Sequence, residues 1–181
     1  MLPRRVALLV LSLLCGVMGC SANEAPSQPG AGQTPPAKVE LQVVPLDTIL
    51  KQISAQKGNI VVVDSWATWC GPCKKEFPHL VEIHRDRAKD GVVCMSVSLD
   101  QVQQQGDALA FLKEQGATFP NFLVEDDNSW LDKWNIKGIP VVLVFGRDGK
   151  LLRKFDRDDP DNQFTYADVA RFVRELVLKA S

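Results

Sequence analysis

The chain has 181 residues, with 21 lysines and arginines against 22 aspartates and glutamates and a formal net charge of −1. Such a balance offers no basic face to a phosphate backbone, which argues against nucleic acid as a partner. No internal repeat or second domain boundary is visible, and the stretch from Lys38 to Ser181 has the length of one domain able to bury a core.

The N-terminal MLPRRVALLVLSLLCGVMGC combines a basic start (Arg4, Arg5), an apolar stretch from Val6 to Leu14 and small residues before a cysteine, the grammar of an export signal. The apolar stretch falls short of the ~20 residues that a spanning helix needs. Val17-Met18-Gly19-Cys20 resembles the lipobox of bacterial lipoproteins. That resemblance implies a lipoprotein-type signal peptide over residues 1–19, cut so that Cys15 is lost and Cys20 becomes the lipidated N-terminus. Residues 20–37 are then a lipid anchor and a Pro/Ala/Gly-rich tether, because this stretch has almost no large apolar side chain to offset the entropy of ordering. Its prolines keep it semi-extended, with a reach of at most roughly 50 Å. Ser21 leaves open which membrane holds it.

From residue 38 onward, strands alternate with helices. Leu46, Ile49, Leu50 and Ile53 recur at helical spacing, and Gly58-Asn59 stops that helix before the β-branched run Ile60 to Val63, which reads as a strand covered on both faces. A helix follows the two cysteines of VVVDSWATWCGPCK, with Phe77, Leu80, Val81 and His84 on one face and Pro78 as an expected kink. Val92 to Leu99 is the next strand, Ala108 to Gln115 a helix closed by Gly116, and Trp130 to Trp134 a short helix. Val141 to Phe145 and Leu151 to Phe155 form a hairpin around Arg147-Asp148-Gly149-Lys150, and Tyr166 to Leu178 closes the chain as an amphipathic helix. This order implies an α/β fold, a mixed sheet with helices on both faces.

VVVDSWATWCGPCK, followed by WNIKGIP, an apolar strand and a hairpin, resembles thioredoxin from about Ile60 to the C-terminus. The whole plan of anchor, WATWCGPC and an extra segment between about Gln101 and Val124 resembles the membrane-tethered TlpA-like reductases. The resemblance implies a thioredoxin-like domain over residues 38–181 and a Cys70–Cys73 redox-active disulfide. Cys70 is expected at a helix N-terminus, where orphan N–H groups and the helix dipole stabilise a thiolate, and as the more exposed sulfur. It would attack the partner's disulfide, and Cys73, one turn on, would resolve the mixed disulfide. Gly71 and Pro72 carry the chain into the helix, Pro72 lacking an N–H that would be unpaired there anyway.

Asp64 sits where thioredoxins place a buried acid beneath the cysteines. Desolvation there raises its pKa toward working pH, as a proton shuttle for Cys73 requires. Thioredoxins set a lysine beside this acid from the next strand; Ser96 takes that place here, which removes a charge partner. By the same resemblance the Ile139–Pro140 bond is cis and apposed to the cysteines, with Ile139 offering its backbone to an extended peptide and Val141 pointing into the core. Trp69 is expected to serve docking, Trp66 either docking or core, and Trp130 and Trp134 packing. Cys94 reads as a buried, inert thiol. Cys94, His79 and His84 show no zinc spacing, and Asp156 to Asp161 lacks the calcium-loop pattern, so neither metal nor cofactor is expected.

The function implied is that of an exported, membrane-anchored thiol-disulfide oxidoreductase on the periplasmic side. It would be a reductase of protein disulfides, for example at cysteines that receive haem in cytochrome c assembly, recharged by a membrane electron donor and acting as a monomer. An oxidase or isomerase stays open as an alternative. So does a non-catalytic binding or copper-handling lipoprotein, although the intact CGPC and the absence of methionine and histidine clusters weigh against it.

Overall fold

The structure is a computed structural model and describes residues 38–158 and 163–179. The expected signal peptide, Cys20 and the 20–37 tether lie outside the described residues, as does the later part of the Asp156–Asp161 loop.

In chain order the elements are β1 (Gln42–Val44), α1 (Leu46–Ala55), β2 (Ile60–Trp66), α2 (Gly71–Arg87), β3 (Val92–Ser98), α3 (Gln105–Gln115), β4 (Asn121–Val124), α4 (Asp127–Trp134), β5 (Val141–Phe145), β6 (Leu151–Asp156) and α5 (Tyr166–Lys179), with short 3-10 turns before β3 and α3. The strands form one six-stranded sheet in the order β1-β4-β3-β2-β5-β6. Pairing is parallel from β1 to β2 and antiparallel across β5 and β6, the mixed sheet expected. Every residue of β2 is buried, as its unbroken apolar run requires.

Successive residues of a strand face opposite sides, and Asp64 and Ser65 divide the covering helices accordingly. Ser65 accepts the indole N–H of Trp130 from α4 at 3.0 Å, whereas Asp64 accepts the Tyr166 hydroxyl from α5 at 2.7 Å. α5 in turn packs beside α2. On that same side Trp66, Phe77 and Phe111 form a ring cluster with centroids 4.8 to 5.2 Å apart, which ties α2 and α3 to the end of β2.

The observed elements refine several expectations. α2 runs unbroken through Pro78, and its buried stripe is Cys73, Phe77, Leu80 and Ile83 rather than one that includes Val81 and His84, which are half-buried at its margin. α3 begins at Gln105, three residues earlier than the apolar pattern indicated. β1 and β4 were not anticipated; with three and four residues they are too short to display a period. β4 is inserted between β1 and β3 by Asn121, whose side-chain oxygen accepts the Ser96 hydroxyl at 2.8 Å while its amide donates to the carbonyls of Ala117 and Phe119 at 2.8 and 2.7 Å. This satisfies a fully buried amide where the strand begins.

At the far end of the sheet Arg147 donates to the carbonyls of Gly58 and Asp90 at 2.7 and 3.1 Å, joining the turns that precede β2 and β3 to the β5–β6 hairpin. Gly91 makes this approach possible: its φ is +75°, and a Cβ there would lie 2.9 Å from the guanidinium.

Candidate active site

β2 delivers the chain at Trp66, and the loop Ala67–Trp69 must then turn so that α2 starts at the correct place. Asp100, just beyond β3, controls that turn. Its carboxylate accepts the Thr68 amide at 3.0 Å and the Thr68 hydroxyl at 2.6 Å, and also the Ser98 hydroxyl at 2.7 Å. Three donors at the ends of two neighbouring strands thereby share one carboxylate, with Asp100 and Ser98 buried and Thr68 half-buried.

Cys70 is the N-cap of α2, its sulfur accepting the Cys73 amide at 3.2 Å, with Pro72 in the first turn. Cys70 and Cys73 are joined as a disulfide, with their Cα atoms 5.3 Å apart. The expected contrast in exposure is nearly absent here, since Cys70 is only 5% exposed and Cys73 is fully buried. Cys70 is covered by the rim opposite: the Ile139 carbonyl oxygen lies 3.8 Å from its sulfur, and the Ile139–Pro140 peptide is cis. Gly71 and Pro72, between the two cysteines, remain exposed.

Beside the disulfide a groove of about 390 Å³ is lined by Trp69, Leu99, Leu131, Ile139 and, at its rim, Lys137, Asp127 and Asp158. Trp69 is 63% exposed and Trp66 not at all, which separates the docking candidate from the core residue. Gly138 fits because it has no side chain: a Cβ there would run into the Asp158 carboxylate. Val141 is buried, as expected.

Asp64 is fully buried, and burial pushes its carboxyl from 3.8 up to about 7 against the opposing hydrogen bond from Tyr166. Ser96 pairs with it in register on β3, in the place where a lysine was lacking, and its hydroxyl is turned to Asn121. Tyr166 is the partner that sequence reading missed, 102 positions away and read only as a helix residue. One signal could have found it: it is the only tyrosine of the chain and lies on the buried stripe Tyr166, Val169, Val173 of α5, where a phenol needs a partner. Glu76 was missed as well. It lines a small cavity of about 40 Å³ with Pro140, Arg157 and Tyr166, next to the active-site rim.

The remaining candidates fall into place as structure. Cys94 is a free, fully buried thiol whose pKa is pushed up by burial and then by the charge of Asp64. Trp130 and Trp134 stack edge to face at 5.9 Å, and Trp134 meets Phe145 at 5.5 Å, so both are packing residues. Asp156 pairs with Lys154 at 2.9 Å and caps the Asp158 amide. Among the described residues no three of His, Cys, Asp and Glu are grouped to hold a metal ion, and no helix is long and apolar enough to cross a membrane.

The sequence matches the model of the Redoxin family over residues 30–171. It is similar to the thiol:disulfide interchange protein HelX of Rhodobacter capsulatus, with 27% identity over 141 residues that cover 77% of this chain and 76% of HelX. It is similar also to the thiol-disulfide oxidoreductase ResA of Bacillus subtilis, with 28% identity over 102 residues, 56% of this chain; there the chain spans about half of the relative, 55% of its length. Its fold superimposes on the thioredoxin domain of a thiol-disulfide oxidoreductase from Bacteroides vulgatus with a TM-score of 0.53 and 26% identity, over 66% of this chain and 82% of that one. The fold is thioredoxin-like.

Proposed function

The chain belongs to the Redoxin family, and from that premise we propose that it is an exported, lipid-tethered thiol-disulfide oxidoreductase that reduces protein disulfides through Cys70 and Cys73. The observation that carries this reading is the pairing of the two cysteines at the start of α2 against the Ile139–Pro140 rim, with an exposed Trp69 alongside.

In the reduced protein the Cys70 thiolate is stabilised by the unpaired N–H groups of the first turn, among them that of Cys73. It attacks one sulfur of the substrate disulfide, and the other substrate sulfur leaves as a thiolate. Cys73 then yields its proton to Asp64, and its thiolate attacks the Cys70 sulfur. The Cys70–Cys73 disulfide closes, and the second substrate sulfur leaves carrying its electron pair. Two electrons have passed to the substrate and must be restored by a membrane electron donor, because the compartment outside the cytoplasm is oxidising. The groove beside Trp69 receives the substrate chain in extended form, with the backbone of Ile139 pairing with it and the exposed Gly71 and Pro72 offering further contact next to the sulfurs.

Reduction of insulin by the wild-type protein and not by Cys70→Ser tests the activity, and its absence in both would favour a binding or copper-handling role. The reduction potential of the pair separates a reductase, below the glutathione couple, from an oxidase or isomerase above it. The tether rests on the N-terminal sequence: Cys20→Ala should move the protein from the membrane to the soluble fraction.

A further inference from the structure

The two oxygens of Asp64 are in different situations. Oδ1 accepts the Tyr166 hydroxyl at 2.7 Å, whereas Oδ2 is buried with no hydrogen-bond partner among the described residues. Tyr166 is itself only 2% exposed and is held between rings, with Phe164 at 5.9 Å and His79 at 6.2 Å, so its hydroxyl is delivered to Asp64 by packing rather than by a mobile side chain.

We propose that Tyr166 is a positioning residue for disulfide exchange: its hydroxyl occupies Oδ1 of Asp64, so that the proton leaving Cys73 is taken up at Oδ2. The inference rests on the proton-accepting role given to Asp64 above.

A carboxylate with both oxygens free can rotate and accept a proton on either. One strong donor on Oδ1 removes that freedom and stabilises the ionised form, leaving the lone pairs of Oδ2 for the incoming proton. The titratable and charged groups around the pair come from four sides. Tyr166 stands on α5, and Glu76 and His79 on α2. Cys94 lies on β3, and Arg157 follows β6. Burial, followed by the charge and hydrogen bond of Asp64 and the charge of Glu76, holds the Tyr166 phenol protonated against the weaker opposing pull of Arg157. Burial holds the Cys94 thiol protonated as well. Of these groups only Tyr166 hydrogen-bonds to the carboxylate. In the resolving step the Cys73 proton passes to Oδ2, the Cys73 thiolate displaces the substrate sulfur from Cys70, and the phenol keeps its own proton throughout.

Tyr166→Phe keeps the ring and deletes the donor. In the oxidised protein, carbon-detected titration of the Asp64 carboxyl should show a midpoint about one pH unit higher than wild type. The pH profile of mixed-disulfide resolution in single turnover should move upward by the same amount. In an Asp64→Asn background, Tyr166→Phe should leave that profile where it is. An unchanged Asp64 midpoint, or a shift that persists in the Asn background, overturns the proposal. Should Tyr166→Phe fail to fold, wild type supplies the test. The Tyr166 Cζ resonance should follow the Asp64 titration with the same midpoint, and a flat Cζ overturns the proposal equally. These titrations need no turnover, so a wild-type protein unable to reduce insulin would sink the functional reading while the position of the proton is still measured.

Discussion

Asp100 accepts both the amide and the hydroxyl of Thr68, a residue 32 positions earlier, and so holds the loop that leads from β2 into Cys70. The bond joins the ends of β2 and β3 on the active-site side of the sheet. Asp100→Ala should therefore leave the half-buried Thr68 amide and the buried Ser98 hydroxyl without their acceptor and cost roughly 2 kcal/mol in urea unfolding. The same change should slow attack by Cys70, because the N-cap loses its anchor. Asp100→Asn retains an acceptor oxygen and should recover most of both losses. Equal stability of wild type and the Ala variant would show that the loop is held by something else.

Asp64 makes stability depend on pH in a direction opposite to that of most carboxylates. Its folded-state pKa is raised from 3.8 to about 7, so the folded protein keeps a proton that the unfolded chain has released. The stabilisation is complete below about pH 4, declines through the window up to about pH 7, and is lost above it, by at most about 4 kcal/mol. Asp64→Asn carries no such charge. Measured on the oxidised protein, the variant should be more stable than wild type at pH 8 and similar to it at pH 4. Parallel pH curves for the two proteins would refute the burial of an ionising Asp64.

Cys73→Ala should hold its substrate as a stable mixed disulfide on Cys70, isolable under non-reducing conditions, because the sulfur that closes the exchange is missing. Cys70→Ser should trap nothing. Substrates captured equally well on the Cys70→Ser protein would reverse the assigned order of attack.

The two tryptophans near the cysteines should respond in opposite ways. Trp69 is 63% exposed, so Trp69→Ala should alter stability by no more than about 0.5 kcal/mol and raise KM for protein substrates. Trp66 is fully buried within the Phe77–Phe111 cluster, and Trp66→Ala should cost about 3–5 kcal/mol. Loss of activity in Trp69→Ala that followed a loss of fold would remove it from the docking surface.

Much of this fold is legible in the sequence. The strand from Ile60, the helix after the cysteines, the hairpin around Gly149 and the terminal helix follow from apolar period and turn residues, which are local properties of the chain. The Cys70–Cys73 disulfide, the burial of Asp64 and the cis Ile139–Pro140 bond were expected from the resemblance to thioredoxin, and the structure contains all three. β1 and β4 were not legible, because three- and four-residue strands exist by virtue of the neighbours they pair with. The near burial of Cys70 was also misjudged, since its cover comes from Ile139, 69 positions further on.

The residues alone determined which chemistry is available: two thiols one helical turn apart and an acid within an apolar strand. Only the folded chain decided how that acid is served. Tyr166 reaches Asp64 because α5 packs beside α2 over the same face of the sheet, and Asp100 reaches Thr68 because β3 ends next to β2. Contacts over such separations have no spacing of their own in the sequence. They are selected when burial forces each polar atom to find a partner among whatever the packing brings within reach.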